Sequence, residues 1–190
     1  MPDPTEAAQV LAAADRLFND RGVQAVGMDS IRDAANVPLK RLYRLFPSKS
    51  ALVCAVLEQR DRDVRTAIAD YVEARADTPR DRILAVFDFL LEWFAEPAFR
   101  GCLFINTVGE LGGTSDDVGR IARRHKTAMR DYLAELVAAG SFPPGLADQL
   151  MILANGAMVT AVVQDEGPRA AQQARTAAAT LLSAAESARR

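Results

Sequence analysis

A chain of 190 residues with 49% hydrophobic and 25% charged side chains is long enough for one sizeable core or two modest ones, and too apolar to be disordered. Its net charge of −2 excludes general electrostatic attraction to nucleic acid but leaves room for a local basic patch. No run of about 18 consecutive apolar residues occurs and the segment MPDPTEAAQ is acidic and polar, so neither a membrane span nor a secretory signal is expected.

Cys54 and Cys102 lie in apolar helical patterns without metal-ligand spacing, which predicts buried, reduced thiols in a cytoplasmic protein. The charge is unevenly spread. Residues 1–50 hold seven Lys/Arg against six Asp/Glu, a net +1, while the remaining 16 basic and 19 acidic residues give −3. From Ala34 to Leu57 there is no acidic residue, and Lys40, Arg41, Arg44 and Lys49 are all basic.

Taken in order, the chain is helical by pattern throughout, with no sustained period-2 run of β-branched residues and no Asn-Gly hairpin signal. Asp3-Pro4-Thr5-Glu6 reads as a helix start, with Asp3 as cap and Glu6 as its capping-box partner. Val10, Leu11, Ala14, Leu17 and Phe18 then share one face, and Gly22 ends the helix in a left-handed conformation. A short helix from Gly27 or Asp29 follows, turning Met28, Ile31 and Ala35 inward. Asn36 makes the turn because its side chain tolerates positive φ. Pro38 opens a second short helix on which Leu42 and Leu45 face in, leaving Leu39, Lys40, Arg41, Tyr43 and Arg44 outside. Pro47 stops it, and Ser48 caps a long helix from about Lys49 to Ala76.

Thr78-Pro79 begins a helix whose polar stripe, Asp81, Asp88, Glu92 and Glu96, is narrow, so most of its circumference is expected to be buried. In GCLFINTVGEL, Cys102, Asn106 and Glu110 recur every fourth residue and share a stripe. A further helix capped by Thr114 or Ser115 ends near Gly140, with Val118, Ile121, Ala122, Met129, Leu133 and Leu136 inward. Two last helices, about Leu146–Gln164 and Pro168–Arg189, close the chain. The fold class is therefore all-α, about nine helices: a three-helix head followed by a helical second domain.

The compact basic unit from Met28 to Leu52, with its short second helix, has the form a helix-turn-helix presents to the major groove of DNA. Its residues make the comparison specific. Ala13-Ala14 to Phe18, Gly22, Ile31, Ala35, Val37, Leu42, Tyr43, Phe46, Lys49 and Leu52 resemble, in type and spacing, the DNA-binding domain of the tetracycline-repressor (TetR) family of bacterial regulators. The resemblance covers roughly residues 7–56; beyond it only helix count and order agree. Gly27, Arg32, Asn36 and Lys40-Arg41 depart from the usual cap, alanine, turn glycine and small pair.

The resemblance implies a DNA-binding domain over residues 1–50 and an effector-binding and dimerisation domain over 51–190. Tyr43 and Lys49 would contact phosphate. Leu39 and Lys40 would read base edges, with Arg41 and Arg44 on phosphate or guanine, and Gly27, Met28 and Pro38 would complete the DNA-contacting set. It also implies a homodimer through the final two helices, where Ala154, Gly156, Ala157, Met158, Ala161, Ala174, Ala177, Ala178, Leu181 and Leu182 supply small and apolar residues for close approach. A small-molecule effector pocket is implied too; Phe87, Trp93, Phe94, Phe104 and Met158 are its candidate walls, with Asn106 and Glu110 as polar hooks.

The expected function is a ligand-responsive transcriptional regulator, a repressor that binds a palindromic operator as a homodimer and is released by a small molecule. No cofactor or metal is expected, and no catalytic residue. His125, the single histidine, stands in the basic stretch RRHKTAMR and is expected to be solvated, and no Ser-His-Asp, HExxH or phosphate-loop pattern is present. Two rivals remain: a small-molecule binding protein of the same fold without operator binding, and a helical enzyme using a buried Asn106/Glu110 stripe.

Overall fold

The computed structural model describes residues 4–188 and shows nine helices and no strand among them: α1 (Pro4–Arg21), α2 (Met28–Ala35), α3 (Leu39–Leu45), α4 (Lys49–Arg75), α5 (Pro79–Phe94), α6 (Leu103–Leu111), α7 (Asp116–Ala139), α8 (Leu146–Val163) and α9 (Gly167–Ser187). The boundaries follow local chemistry. Gly22 sits at φ +80° and its amide closes on the Phe18 carbonyl at 3.0 Å, ending α1. The Ser48 hydroxyl accepts from the Ala51 amide at 3.1 Å to start α4, and Thr78 accepts from the Asp81 amide at 3.1 Å ahead of Pro79 to start α5. Asp3, the expected cap of α1, lies outside the described residues. Glu6, expected to complete that cap, pairs with Arg41.

The chain forms two compact units, one of Met1–Arg62 with Cys102–Arg124 and one of Asp63–Gly101 with His125–Arg190. Compactness thus divides the chain along different lines from the division expected after residue 50, and α4 and α7 each contribute to both units. In the first unit, Phe18, Ile31, Leu42, Leu52 and Leu57 are fully buried. The bidentate pair of Arg60 with Asp15, at 2.9 and 2.7 Å, ties α4 to α1 beside them. In the second unit the core runs through Ile83, Phe87 and Leu90 of α5, Leu133 of α7, Leu150 of α8 and Leu182 of α9. Side chains of this size each contribute about 1.5–3 kcal/mol on burial. Helix α5 buries seven residues, including the unbroken run Ile83 to Phe87, as its narrow polar stripe requires.

Two expectations are corrected. His125 is buried rather than solvated: it falls between Ile121 and Met129 on the inward stripe of α7, while Arg123 and Arg124 take the exposed side. Cys54 is only half-buried, although Cys102 is buried as expected. Helix α8 is, by length and composition alone, apolar enough to cross a membrane, with a mean hydropathy of 1.5 over 18 residues, a test that helices packed in a protein core also pass. Asp148, Gln149, Asn155 and Thr160 interrupt any continuous apolar run in the sequence, yet they are too few to lower the average. A third of that window is buried within the chain.

Candidate nucleic-acid interface

The turn between α2 and α3 is built on one residue. Asn36 takes φ 51°, ψ 47°, and the amides of Asn36 and Val37 close back on the carbonyls of Asp33 and Arg32, each at 3.2 Å. This is a Schellman-type end with asparagine in the place glycine usually fills. Val37 buries itself directly after it. Pro38, at φ −64° and ψ 141°, stands one position before α3 and its carbonyl accepts from the amides of Arg41 and Leu42 at 2.8 and 3.0 Å. Proline is suited to this site because its fixed φ costs nothing and no amide is left unpaired.

Helix α3 is seven residues long and buries only Leu42. At about 100° per residue, Leu39, Lys40, Tyr43 and Arg44 share one side, and all four are exposed. Tyr43 and Leu39 are among the exposed large hydrophobic side chains of the chain. Arg41 and Leu45 lie on the flank and are half-buried. The Arg41 guanidinium, read in the sequence as a DNA contact, is turned to α1, where the Glu6 carboxylate holds it. Its charge is used within the head, fixing α3 against α1. Gly27 precedes α2 in extended conformation, exposed and without a side-chain cap, and Met28 is half-buried behind it. Lys49 opens α4 and its Nζ donates to the Gln24 carbonyl at 3.3 Å.

Of the residues expected to form the DNA surface, the structure therefore brings Leu39, Lys40, Tyr43 and Arg44 onto one solvent-facing side of α3. Sequence reasoning missed Glu6 as the partner of Arg41 and Gln24 as the partner of Lys49. Neither has a local sequence signal, because each pair joins positions 25 to 35 residues apart.

The residues expected at an effector pocket fall in both units. Phe87 and Phe94 are packed in the core of the second, where Phe94 stacks on Phe99 at 4.5 Å and half-buried Trp93 meets the edge of Phe99 at 5.2 Å. Met158 is half-buried against that core. Phe104 is buried in the first unit. Asn106 is exposed, since α6 buries Leu103, Phe104 and Thr107 and turns residue 106 outward; the expectation of a buried Asn106/Glu110 stripe is corrected. The Glu110 carboxylate is occupied by backbone amides of the α1–α2 loop.

The expected dimer residues are also placed differently. Ala154, Ala157, Ala161, Ala174, Ala178 and Leu182 are buried within the single chain, the last two at 0% exposure, because α8 packs on α9 and α9 on α5 through small side chains. Met158 and Leu181 are half-buried. What α8 leaves outside is a stripe that shares only Gly156 with the expected set. Ile152, Gly156, Val159 and Val163 recur at four-, three- and four-residue spacing on one line; all are exposed, Ile152 at 70% and Val163 at 77%. Ile152 and Gly156 also border an open groove of about 740 Å³ whose other wall includes Gln173 and Ala177 of α9. The sequence signal was present: α8 is hydrophobic all round, so one side had to remain after the core was filled.

Comparison with known proteins agrees with this architecture. The family model described as bacterial regulatory proteins of the tetR family matches residues 10–56, and that described as tetracyclin repressor-like, C-terminal domain, matches residues 79–178. The chain is 34% identical over 93 residues to the HTH-type transcriptional activator FasR of Mycolicibacterium smegmatis, covering 47% of this chain and 42% of FasR. It is 31% identical over 124 residues to an HTH-type transcriptional regulator of Mycobacterium tuberculosis, covering 61% of this chain and 59% of that protein. The chain thus spans about half the length of these relatives. Over nearly the whole chain it superimposes on a TetR-family transcriptional regulator from Streptomyces coelicolor with a TM-score of 0.86 at 27% identity, covering 95% and 96% of the two chains. The reduced form of Escherichia coli NemR shares the fold, with a TM-score of 0.82 at 22% identity over 93% of this chain and 96% of that one. With the carboxy-terminal match alone spanning more than half its length, the chain belongs to the TetR family of transcriptional regulators, and α2 and α3 form its DNA-binding helix-turn-helix.

Proposed function

We propose that this regulator works in the cytoplasm as a homodimeric repressor, binding a palindromic operator and leaving it when a small molecule binds among the carboxy-terminal helices. The observation that carries the reading is the exposed line Ile152, Gly156, Val159 and Val163 on α8, on a chain whose reading helix has only seven residues. So short a helix reaches a handful of base pairs. Two copies related by a two-fold axis would read two half-sites about one helical turn apart and multiply the specificity. The α8 line, with Gly156 open at its centre, suits packing against a second copy of itself.

On the DNA side, Leu39 and Lys40 would meet base edges, Tyr43 and Arg44 would meet phosphate or guanine, and Lys49 would meet phosphate at the amino end of α4. Helix α4 has 27 residues, about 40 Å, and includes both Lys49 and residues of the second unit's core such as Ile68 and Val72. An effector that prefers one disposition of the two heads would lower operator affinity through it. Repression is the proposed sign, although the relative FasR is named an activator.

The test begins with selection of duplexes from random-sequence DNA by the purified protein. Fluorescence anisotropy with competitor DNA should then show specific binding with two chains per site, and a promoter fusion should be silenced by the protein. One chain per site would refute the dimer, activation of the fusion would refute repression, and failure to enrich any sequence would favour a ligand-binding protein without an operator. Trp93 is the chain's single tryptophan, so its emission is the readout for an effector screen.

A further inference from the structure

The carboxy-terminal turn of α6 meets the loop between α1 and α2, within the first unit. The contact is made by Glu110. The amides of Val23 and Gln24 donate to its two carboxylate oxygens at 3.1 and 2.7 Å, and Gln24 Nε2 donates to the Glu110 carbonyl at 2.6 Å. The loop is shaped for this. Gly22 is left-handed at φ +80°, and a left-handed residue followed by successive amides makes a concave cradle for an anionic oxygen. A Cβ at Gly22 would stand 3.0 Å from Glu110 Oε1, so the glycine also leaves room for the carboxylate. The backbone carbonyl of Gln24 accepts from Lys49 Nζ at 3.3 Å. Gln24 is therefore held on three sides, and hydrogen bonds run without a break from α6 to the first residue of α4.

The core of the head is made of other side chains: Phe18, Ile31, Leu42 and Leu52 are fully buried. Glu110 belongs to the segment matched by the carboxy-terminal family model, whereas Lys49 belongs to the amino-terminal match. We propose that Glu110 is a positioning residue for DNA binding, which through Gln24 sets where the Lys49 ammonium stands and so how well it meets a phosphate. The inference rests on the reading of Lys49 as a phosphate contact. An ammonium has three donors, so the bond to Gln24 aims Lys49 while leaving two for DNA. A displacement of α6 would then be felt at the DNA surface even with the helix-turn-helix itself unchanged.

The experiment is a double-mutant cycle on the selected duplex, with anisotropy read across a salt series for wild type, Lys49→Ala, Glu110→Gln and the pair. Lys49→Ala should weaken binding roughly tenfold and flatten the salt slope by about 0.9 per head. Glu110→Gln, which puts an amide nitrogen against backbone N–H groups, should reproduce part of both effects and add nothing in the Lys49→Ala background. Full additivity, or wild-type affinity and slope for Glu110→Gln, overturns the inference while leaving the phosphate reading intact. A wild-type slope for Lys49→Ala removes the phosphate reading and the inference with it. Should Glu110→Gln unfold the head by circular dichroism, Gln24→Ala, which deletes only the bond to the Glu110 carbonyl, goes through the same cycle with the same deciding outcomes.

Discussion

Gly22→Ala concentrates two separable costs at one atom. The first is backbone strain: at φ +80° an L-residue loses about 1–2 kcal/mol, partly offset by the about 0.4–1 kcal/mol that alanine contributes by restricting the unfolded chain. The second is steric. The new Cβ would lie 3.0, 3.2 and 3.3 Å from the Glu110 carboxylate atoms, closer than ordinary contact, so the carboxylate must withdraw. Withdrawal weakens the charge-assisted bonds from the Val23 and Gln24 amides, the first partly buried and the second exposed, and so together worth about 1–2 kcal/mol. The expected total is about 2 kcal/mol, a fall in Tm of roughly 4–8 °C for a chain of this size. Thermal and urea unfolding followed by circular dichroism measure it, and the Glu110→Ala background separates the two parts, since only the strain survives there. An equal cost of Gly22→Ala in both backgrounds would refute the steric half. Wild-type stability for the single variant would refute both.

Other expectations follow from the same packing. Ile152→Asp removes about 1.5 kcal/mol of apolar burial from each of two symmetry-related sites, about 3 kcal/mol in all, and should raise the dimer dissociation constant roughly a hundredfold by sedimentation; a monomeric wild type would dispose of the proposed interface. Arg60→Met strands the partly buried Asp15 and should cost about 1–2 kcal/mol in urea unfolding. A zero coupling energy with Asp15→Ala would mean the pair contributes nothing to the head. The Tyr71 phenol is pushed up to about 12, by burial first and then by its hydrogen bond to Glu92 at 2.6 Å. Because the folded value lies above the unfolded one of about 10, the stability it supplies is intact below pH ~10 and is lost as pH rises towards 12. Tyr71→Phe should abolish that loss and the last phenolate absorbance step; persistence of the step would assign it to another tyrosine.

The Cys54 thiol is pushed up by burial and then by the charges of Asp117 and Glu58, away from the thiolate form that reacts.

The sequence by itself determined whatever depends on neighbours along the chain. Helix periodicity placed α1 to α9, and caps at Ser48 and Thr78, the left-handed Gly22 and Asn36, and Pro38 marked the ends, because each acts on backbone groups within four residues. The acid-free stretch from Ala34 to Leu57 likewise exposed the basic side of α3. Tertiary structure alone decided which apolar side met another helix. Alanines at 154, 157, 161, 174 and 178 looked available for a partner, yet α9 and α5 took them, and the exposed line on α8 was left by subtraction. His125, Arg41 and Glu110 were read from the company they keep in sequence, as a solvated base, a DNA contact and a pocket hook. Each was settled instead by a position far along the chain or by the inward side of its helix: Glu6 for Arg41, the Val23 and Gln24 amides for Glu110, and the stripe of Ile121 and Met129 for His125. Polar side chains pair with whatever the fold brings within about 3 Å, and no periodicity along the chain encodes that meeting.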